Sequence, residues 1–246
     1  MNFWDSLIRK ISISILIPQT DKTRERWVGN KLKKLKKGIK ILDAGAGESY
    51  YSKYCKHLHY VSQDFAQYDG KGDAMGIQTG KRDSSKLDII SDITDIPVRS
   101  GSFDAVLCVE VLEHLPRPLE ALKELSRVLK KGGVLILTAP TYSHTHYSPY
   151  YYYSGFATNF YKHNFPLYDF NIEEIYIYGN YFDSIALELA RLPLVCFRSM
   201  GFLSLPLVAL CTLGIPIFIY LRILSIIKPE VRDLLNFGHC IKARKS

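Results

Sequence analysis

The sequence predicts an α/β fold built on a doubly wound, mostly parallel sheet, and three observations carry that prediction. The apolar run at residues 39–42 closes on Asp43 and leads at once into Gly45-Ala46-Gly47. Such a run reads as a buried parallel strand, and glycines directly after it let the backbone turn tightly and approach a ligand. Short apolar runs recur at residues 60–63, 87–91, 103–109 and 134–138, separated by helical or loop-like stretches, the alternation that a parallel sheet requires. Finally, 246 residues suit one α/β domain with additions. Open sheets of this kind bind ligands at the carboxyl ends of their strands, so the residues that end each run are the site candidates.

The chain divides into a basic arm at 1–38, a core at 39–182 completed by 236–246, and an apolar insertion at 183–235. Residues 1–40 hold 11 Lys/Arg against 3 Asp/Glu, a net of +8, while the remainder holds 21 of each. The basic character therefore belongs to the arm, and the neutral remainder offers no extended groove for nucleic acid. Residues 2–17, with Phe3, Trp4, Leu7, Ile8 and Ile11 beside Arg9 and Lys10, resemble an amphipathic helix more than a cleavable signal. Arg24-Glu25-Arg26-Trp27 and the lysine-rich residues 31–37 read as a second basic amphipathic helix closed by Gly38. It is either a solvated helix ahead of the sheet or a membrane-surface or nucleic-acid patch, and Trp4 and Trp27 lean toward the membrane interface.

Within the core, residues 48–56 read as the first crossover helix and 60–63 as the second strand. Residues 66–86, rich in Gly, Asp and Lys, read as a surface loop. The third strand follows at 87–91, the fourth at 103–109, a crossover helix at 118–129 and the fifth strand at 134–138. Residues 170–179 alternate with period two as a sixth strand. The five cysteines show no paired spacing, which favours reduced thiols in a cytosolic compartment.

Further residues sharpen the reading. Asp64 ends the second strand and Asp92-Ile93 follow the third; then come Ile96-Pro97, Ser102-Phe103-Asp104, Leu112-Glu113-His114 and Gly132-Gly133. In this order and spacing, residues 39–140 resemble the class I S-adenosylmethionine-dependent methyltransferases, nearest to the subgroup with an "LEH" motif after strand 4. The dinucleotide fingerprint would need a third glycine at position 50, where Tyr50 stands, which disfavours an NAD-dependent oxidoreductase. The resemblance implies a seven-stranded Rossmann-like sheet whose last strand, near 237–245, runs antiparallel between strands 5 and 6. It also implies S-adenosylmethionine as cofactor, bound by Asp43, Gly45, Gly47, Asp64, Asp92 and Ile93. Gly45 and Gly47 would admit its methionine portion, Asp64 would take the ribose, and Asp92 with Ile93 the adenine. Each acid taken alone is equally a turn or capping residue.

The catalytic candidates are Glu110, Glu113 and His114, three or four residues apart and so on one face of a helical turn, joined by His144 or His146 after strand 5. In ubiquinone-pathway O-methyltransferases and small-RNA 2′-O-methyltransferases the same Glu-x-x-Glu-His spacing can hold a divalent metal, so the resemblance admits Mg²⁺ at Glu110, Glu113 and His114. The metal-free alternative makes His114 or a later histidine a general base. The plainest reading has Glu113-His114 simply close the loop after strand 4. Tyr150 to Tyr153 read as an acceptor-binding lid. The expected acceptor is a membrane-associated or lipid-linked small molecule: a sugar, a glycolipid or a quinone-like lipid.

Residues 199–221 carry no charge between Arg198 and Arg222, and Pro206, Gly214 and Pro216 bend the segment. Strands 6 and 7 flank it and must share one sheet. It is therefore expected to enter one leaflet and return, making the protein peripheral or monotopic at the cytoplasmic face of a membrane. The alternatives are a homodimer through the same segment around a soluble-metabolite enzyme, or a non-catalytic, cofactor-binding assembly subunit.

Overall fold

The computed structural model describes residues 20–206 and 214–246. The helix expected at 2–17 and the middle of the uncharged segment lie outside these residues. The chain forms two compact units: residues 23–176 with 238–246, and, among the described residues, 177–237 with 20–22.

Seven strands make one sheet: β1 (Lys40–Ala44), β2 (His59–Asp64), β3 (Ile89–Ile90), β4 (Phe103–Val109), β5 (Leu129–Pro140), β6 (Phe170–Tyr178) and β7 (Gly238–Lys245). Their order is β3-β2-β1-β4-β5-β7-β6. The pairs β1–β2, β1–β4, β2–β3 and β4–β5 are parallel, and β7 pairs antiparallel with β5 from Val134↔Arg244 to Pro140↔Gly238. The last strand thus lies where the resemblance placed it. The order reverses between β1 and β4, the switch point at which an open sheet leaves a crevice.

Successive strand residues feed opposite faces of this sheet. Leu42, Val106, Leu135 and Leu137 join one buried cluster with Ala121, Leu122 and Leu125 of the helix α2 (Pro118–Val128). Ile41, Ala105, Leu107 and Ile136 join the other with Val28 and Leu32 of the helix α1 (Thr20–Lys33). Central strands covered on both faces need the continuous apolar runs seen in the sequence.

Several expectations are corrected. The first crossover is a 3-10 turn, Tyr50–Tyr54, instead of a helix over 48–56. The third strand has only two residues. The fifth strand is longer than its apolar run because a bulge near Lys130–Gly133 carries the register from Phe103↔Leu129 to Ala105↔Val134. An additional helix, α3 (Thr158–Leu167), buries Tyr161 and Phe165. The first helix ends at Lys33, short of Gly38. Lys31 pairs with Glu174, to which the Trp27 indole Nε1 also donates at 3.0 Å, while Lys33, Lys34, Lys36 and Lys37 are exposed.

The second unit contains α4 (Tyr181–Met200), a 3-10 turn (Gly201–Ser204) and α5 (Ile215–Ile227). Asn180 caps α4 by accepting from the Asp183 N–H at 3.2 Å, and its side-chain amide donates to the Ser225 carbonyl at 2.8 Å. With the Asp183–Arg222 ion pair, this ties the start of α4 to the end of α5 as an antiparallel hairpin. Among the described residues no helix is long and apolar enough to cross a membrane.

Candidate active site

A cleft of about 460 Å³ opens at the carboxyl ends of the parallel strands, lined by Gly45 after β1, Gln63–Phe65 at β2, Ile90–Thr94 at β3 and Glu110–Val111 after β4. Gly45 has φ 75°, and a Cβ there would lie 2.4 Å from a Val111 methyl. Only glycine brings the backbone this close. Its N–H donates to the Gln63 carbonyl at 2.8 Å. Gln63, buried, also donates from Nε2 to the Ser91 carbonyl at 2.7 Å, so one residue ties three strand ends together.

Asp64 is nearly buried and holds the loops on either side of it. Its Oδ2 accepts from the Gly47 N–H at 2.9 Å and its Oδ1 from the Ala66 N–H at 3.0 Å. Each carboxylate oxygen keeps lone-pair capacity toward the cleft. Asp92 is exposed at the third strand tip, where its Oδ1 accepts from the N–H and hydroxyl of Thr94, both at 2.8 Å. Ile93 is a core residue with an edge on the cleft, while Ile90 is 65% exposed there. Asp43 and Gly47 do not line the cleft. Asp43 is buried and accepts from the Tyr60 hydroxyl at 2.5 Å; burial pushes its carboxyl up to about 7.

The far wall is built from the turn after β4 and the segment after β5. Glu110 has φ 53° and precedes the helical turn. It accepts from Arg24 at 2.8 Å and from the Thr138 hydroxyl at 2.8 Å. The helical turn covers only Leu112–His114, so Glu110 does not share a face with Glu113 and His114. The tyrosine segment is fastened onto that turn, with the N–H groups of Tyr152 and Tyr153 donating to the Glu113 carbonyl at 3.0 and 3.1 Å.

His114 Nδ1 lies 2.6 Å from the Tyr150 carbonyl. A carbonyl only accepts, so Nδ1 carries the hydrogen and the neutral ring keeps its lone pair on Nε2. That Nε2 is shielded from solvent, has no hydrogen-bond partner, and lies 3.7 Å from Glu113 Oε1. Tyr147 stacks on the ring at 5.1 Å and His146 meets it edge-on at 4.6 Å. Burial lowers His114 to about 4. Burial first, and then the charge of Glu110, pushes the Glu113 carboxyl well above the usual range; its Oε2 is likewise buried without a partner.

Glu113, His114 and His146 each offer a ligand atom within 4.8 Å of the others. Glu110 and the exposed His144 stand outside this group. The loop at 66–86, read from composition as free surface, is laced to the lid instead. Ile77 bridges to His146, the Ser148 hydroxyl donates to Asp73 at 2.8 Å, and Arg82 reaches the cleft against Tyr68 and Tyr147.

Residues 42–137 match the family described as "Methyltransferase domain", and these residues include every strand tip of the cleft. These residues form a class I S-adenosylmethionine-dependent methyltransferase domain. Across 104 residues it is 31% identical to the ubiquinone biosynthesis O-methyltransferase of Xanthomonas oryzae pv. oryzae, covering 41% of this chain and 43% of that protein. Across 109 residues it is 31% identical to the mouse (Mus musculus) tRNA (carboxymethyluridine(34)-5-O)-methyltransferase ALKBH8, covering 43% of this chain and 15% of that one. The chain thus spans less than half the length of these curated relatives. A SAM-dependent methyltransferase from Archaeoglobus fulgidus shares the fold with a TM-score of 0.55 at 16% identity, over 99% of this chain and 100% of that one.

For the methyltransferase domain, sequence reasoning named Gly45, Asp64, Asp92, Ile93, Glu110 and His114, all of which line the cleft. It missed Gln63, Ile90 and Arg82. Gln63 and Ile90 sit on strand ends and were open to the same strand-tip argument; nothing local in the sequence marks Arg82.

Proposed function

We propose that this protein transfers a methyl group from S-adenosylmethionine to a hydroxyl oxygen of a membrane-associated or lipid-linked small molecule. The observation that carries the reading is His114: its tautomer is set by the Tyr150 carbonyl, and its Nε2 lone pair is buried without a partner. A neutral imidazole held this way accepts a proton from a hydroxyl nucleophile. The cleft fits the cofactor. Gly45 offers open backbone, Asp64 and Asp92 offer carboxylate oxygens for hydroxyl and amino donors, and Ile90 and Ile93 offer apolar faces for a base. When bound, the cofactor supplies an electrophilic methyl on a sulfonium.

The chain's own work is then to hold the acceptor in line and take its proton, since proximity and orientation dominate such a transfer. Tyr147, Tyr150 and Tyr152 give flat, hydroxyl-bearing walls suited to a sugar or quinone-like ring. His146 and Tyr147 pack on the His114 ring and Nε2 is buried, so the acceptor hydroxyl must open this packing to reach it. Transfer to oxygen accords with the activities named for both curated relatives, whose acceptors differ from each other. The apolar insertion accounts for the lipid-linked acceptor.

The Glu113–His114–His146 group favours a second reading, in which these three side chains would hold Mg²⁺, whose chemistry there would be Lewis-acid polarisation of a hydroxyl. Calorimetry with S-adenosylmethionine and a radiolabelled methyl-transfer assay on lipid extracts test both. His114→Gln is expected to leave cofactor affinity unchanged and lower turnover by about 10²–10⁴-fold. Chelation that abolishes turnover, with restoration by Mg²⁺, selects the metal reading; turnover indifferent to chelation selects the base alone. Absence of cofactor binding removes both.

A further inference from the structure

We infer that the α4–α5 hairpin is a membrane-docking element that enters a single leaflet of an anionic bilayer, with its base at the level of the lipid phosphates. The inference deepens the membrane-associated part of the proposed function and does not depend on methyl transfer. Fifteen of the 25 exposed large apolar side chains among the described residues lie between positions 192 and 234. Phe202 is 80%, Leu203 85% and Ile226 75% exposed.

Helix α5 is the clearest case. Its partly or fully buried side is the narrow stripe Phe218, Leu221, Arg222, Leu224 and Ser225, and the surface away from it carries Ile217, Tyr220, Ile223 and Ile226. A surface helix in water has a polar outer face; one that is apolar outside as well as inside has its second apolar neighbour still to come. Patches of this size mark interaction sites.

Charge and length indicate that neighbour. The acids of the hairpin, Asp183 and Glu188, lie at its start and pair with Arg222 and Arg191, and residues 192–221 beyond them carry no acid. The Asp183–Arg222 pair and the Asn180–Ser225 bond mark its base. Beyond Arg191, α4 runs on to Met200, about 13 Å at 1.5 Å per residue. One leaflet contributes about 15 Å of hydrocarbon. Arg198 is the single charge on this reach. Helical side chains lean toward the N-terminus, which in α4 is the headgroup side, so its guanidinium snorkels back toward phosphate. A protein partner would set no such depth.

The test is flotation of the full chain with vesicles of phosphatidylcholine, with and without phosphatidylglycerol. Binding to the anionic vesicles is expected, weakened about tenfold or more by Leu203→Glu with Ile226→Glu, and about fivefold by Lys228→Gln. Circular dichroism melting of each variant confirms that it is folded. A fluorophore at Phe202→Cys should be quenched by lipid carrying a quencher on its acyl chain, and one at Glu230→Cys should not. Flotation without quenching at position 202 would leave the membrane association standing and overturn the leaflet insertion. No flotation, with concentration-dependent dimerisation lost in Leu203→Glu/Ile226→Glu, would overturn both in favour of a second copy of the chain.

Discussion

Asp64 does two jobs whose consequences can be separated. It accepts backbone N–H groups from Gly47 and Ala66, and its remaining lone pairs face the cleft. Asp64→Ala should weaken S-adenosylmethionine binding by about 1.5–3 kcal/mol, ten- to a hundredfold, the worth of a hydrogen bond to a charged group; titration calorimetry reads it directly. His114 makes a prediction about acid. Its pKa falls from 6.5 to about 4 on folding because the ring is buried. Below about 6.5 the unfolded chain therefore takes up a proton that the folded chain refuses, and stability is lost as pH falls from 6.5 toward 4. His114→Gln should reduce that loss by up to about 2–3 kcal/mol, measured by urea unfolding at pH 7 and pH 5. His239 contributes with the same sign, being held at about 4 by burial between the hydroxyls of Thr141 and Thr158. The plateau of kcat/KM should likewise extend below pH 6.5, because the base stays neutral; an acid limb centred at 6.5 would show that the ring is solvated during turnover.

The turn after β1 and the turn after β4 are packed as one piece. A Cβ at position 45 would collide with the Val111 methyls while φ stays at 75°. Gly45→Ala should cost about 2–4 kcal/mol, from left-handed strain plus overpacking, and Val111→Ala in the same chain should recover the packing share but not the strain. Chemical unfolding of the two single variants and the double variant separates these shares. The helix α1 is also a working part of the core. Val28 and Leu32 are fully buried and Arg24 holds Glu110. In the sequence those apolar positions are hidden among lysines and arginines, which is why the helix reads equally as a solvated arm.

In the sheet as a whole, the strand closest to the chain's end is interior. β7 pairs with β5 over seven register positions and buries Cys240, Ile241 and Ala243, and β6 lies on its other side. A chain stopped after Phe237 would expose the edge of β5 and leave β6 without its neighbour. It should lose the cooperative unfolding transition and accumulate as aggregate, readable by circular dichroism and light scattering.

Legibility in the sequence followed how local each signal is. Strand runs, their terminal acids and the Gly45-Ala46-Gly47 turn are short-range patterns, so the doubly wound sheet and several residues of the cleft could be read from residues alone, while the place of the last strand came from the family resemblance. The acceptor wall could not. Glu110 is held outside the Glu113–His114–His146 group by Thr138 and by an arginine 86 residues earlier in the chain. His146, not His144, meets His114 because the loop at 66–86 pairs with residues 145–148. Both outcomes depend on contacts between segments far apart in the chain, and those are settled by packing, which no local pattern encodes.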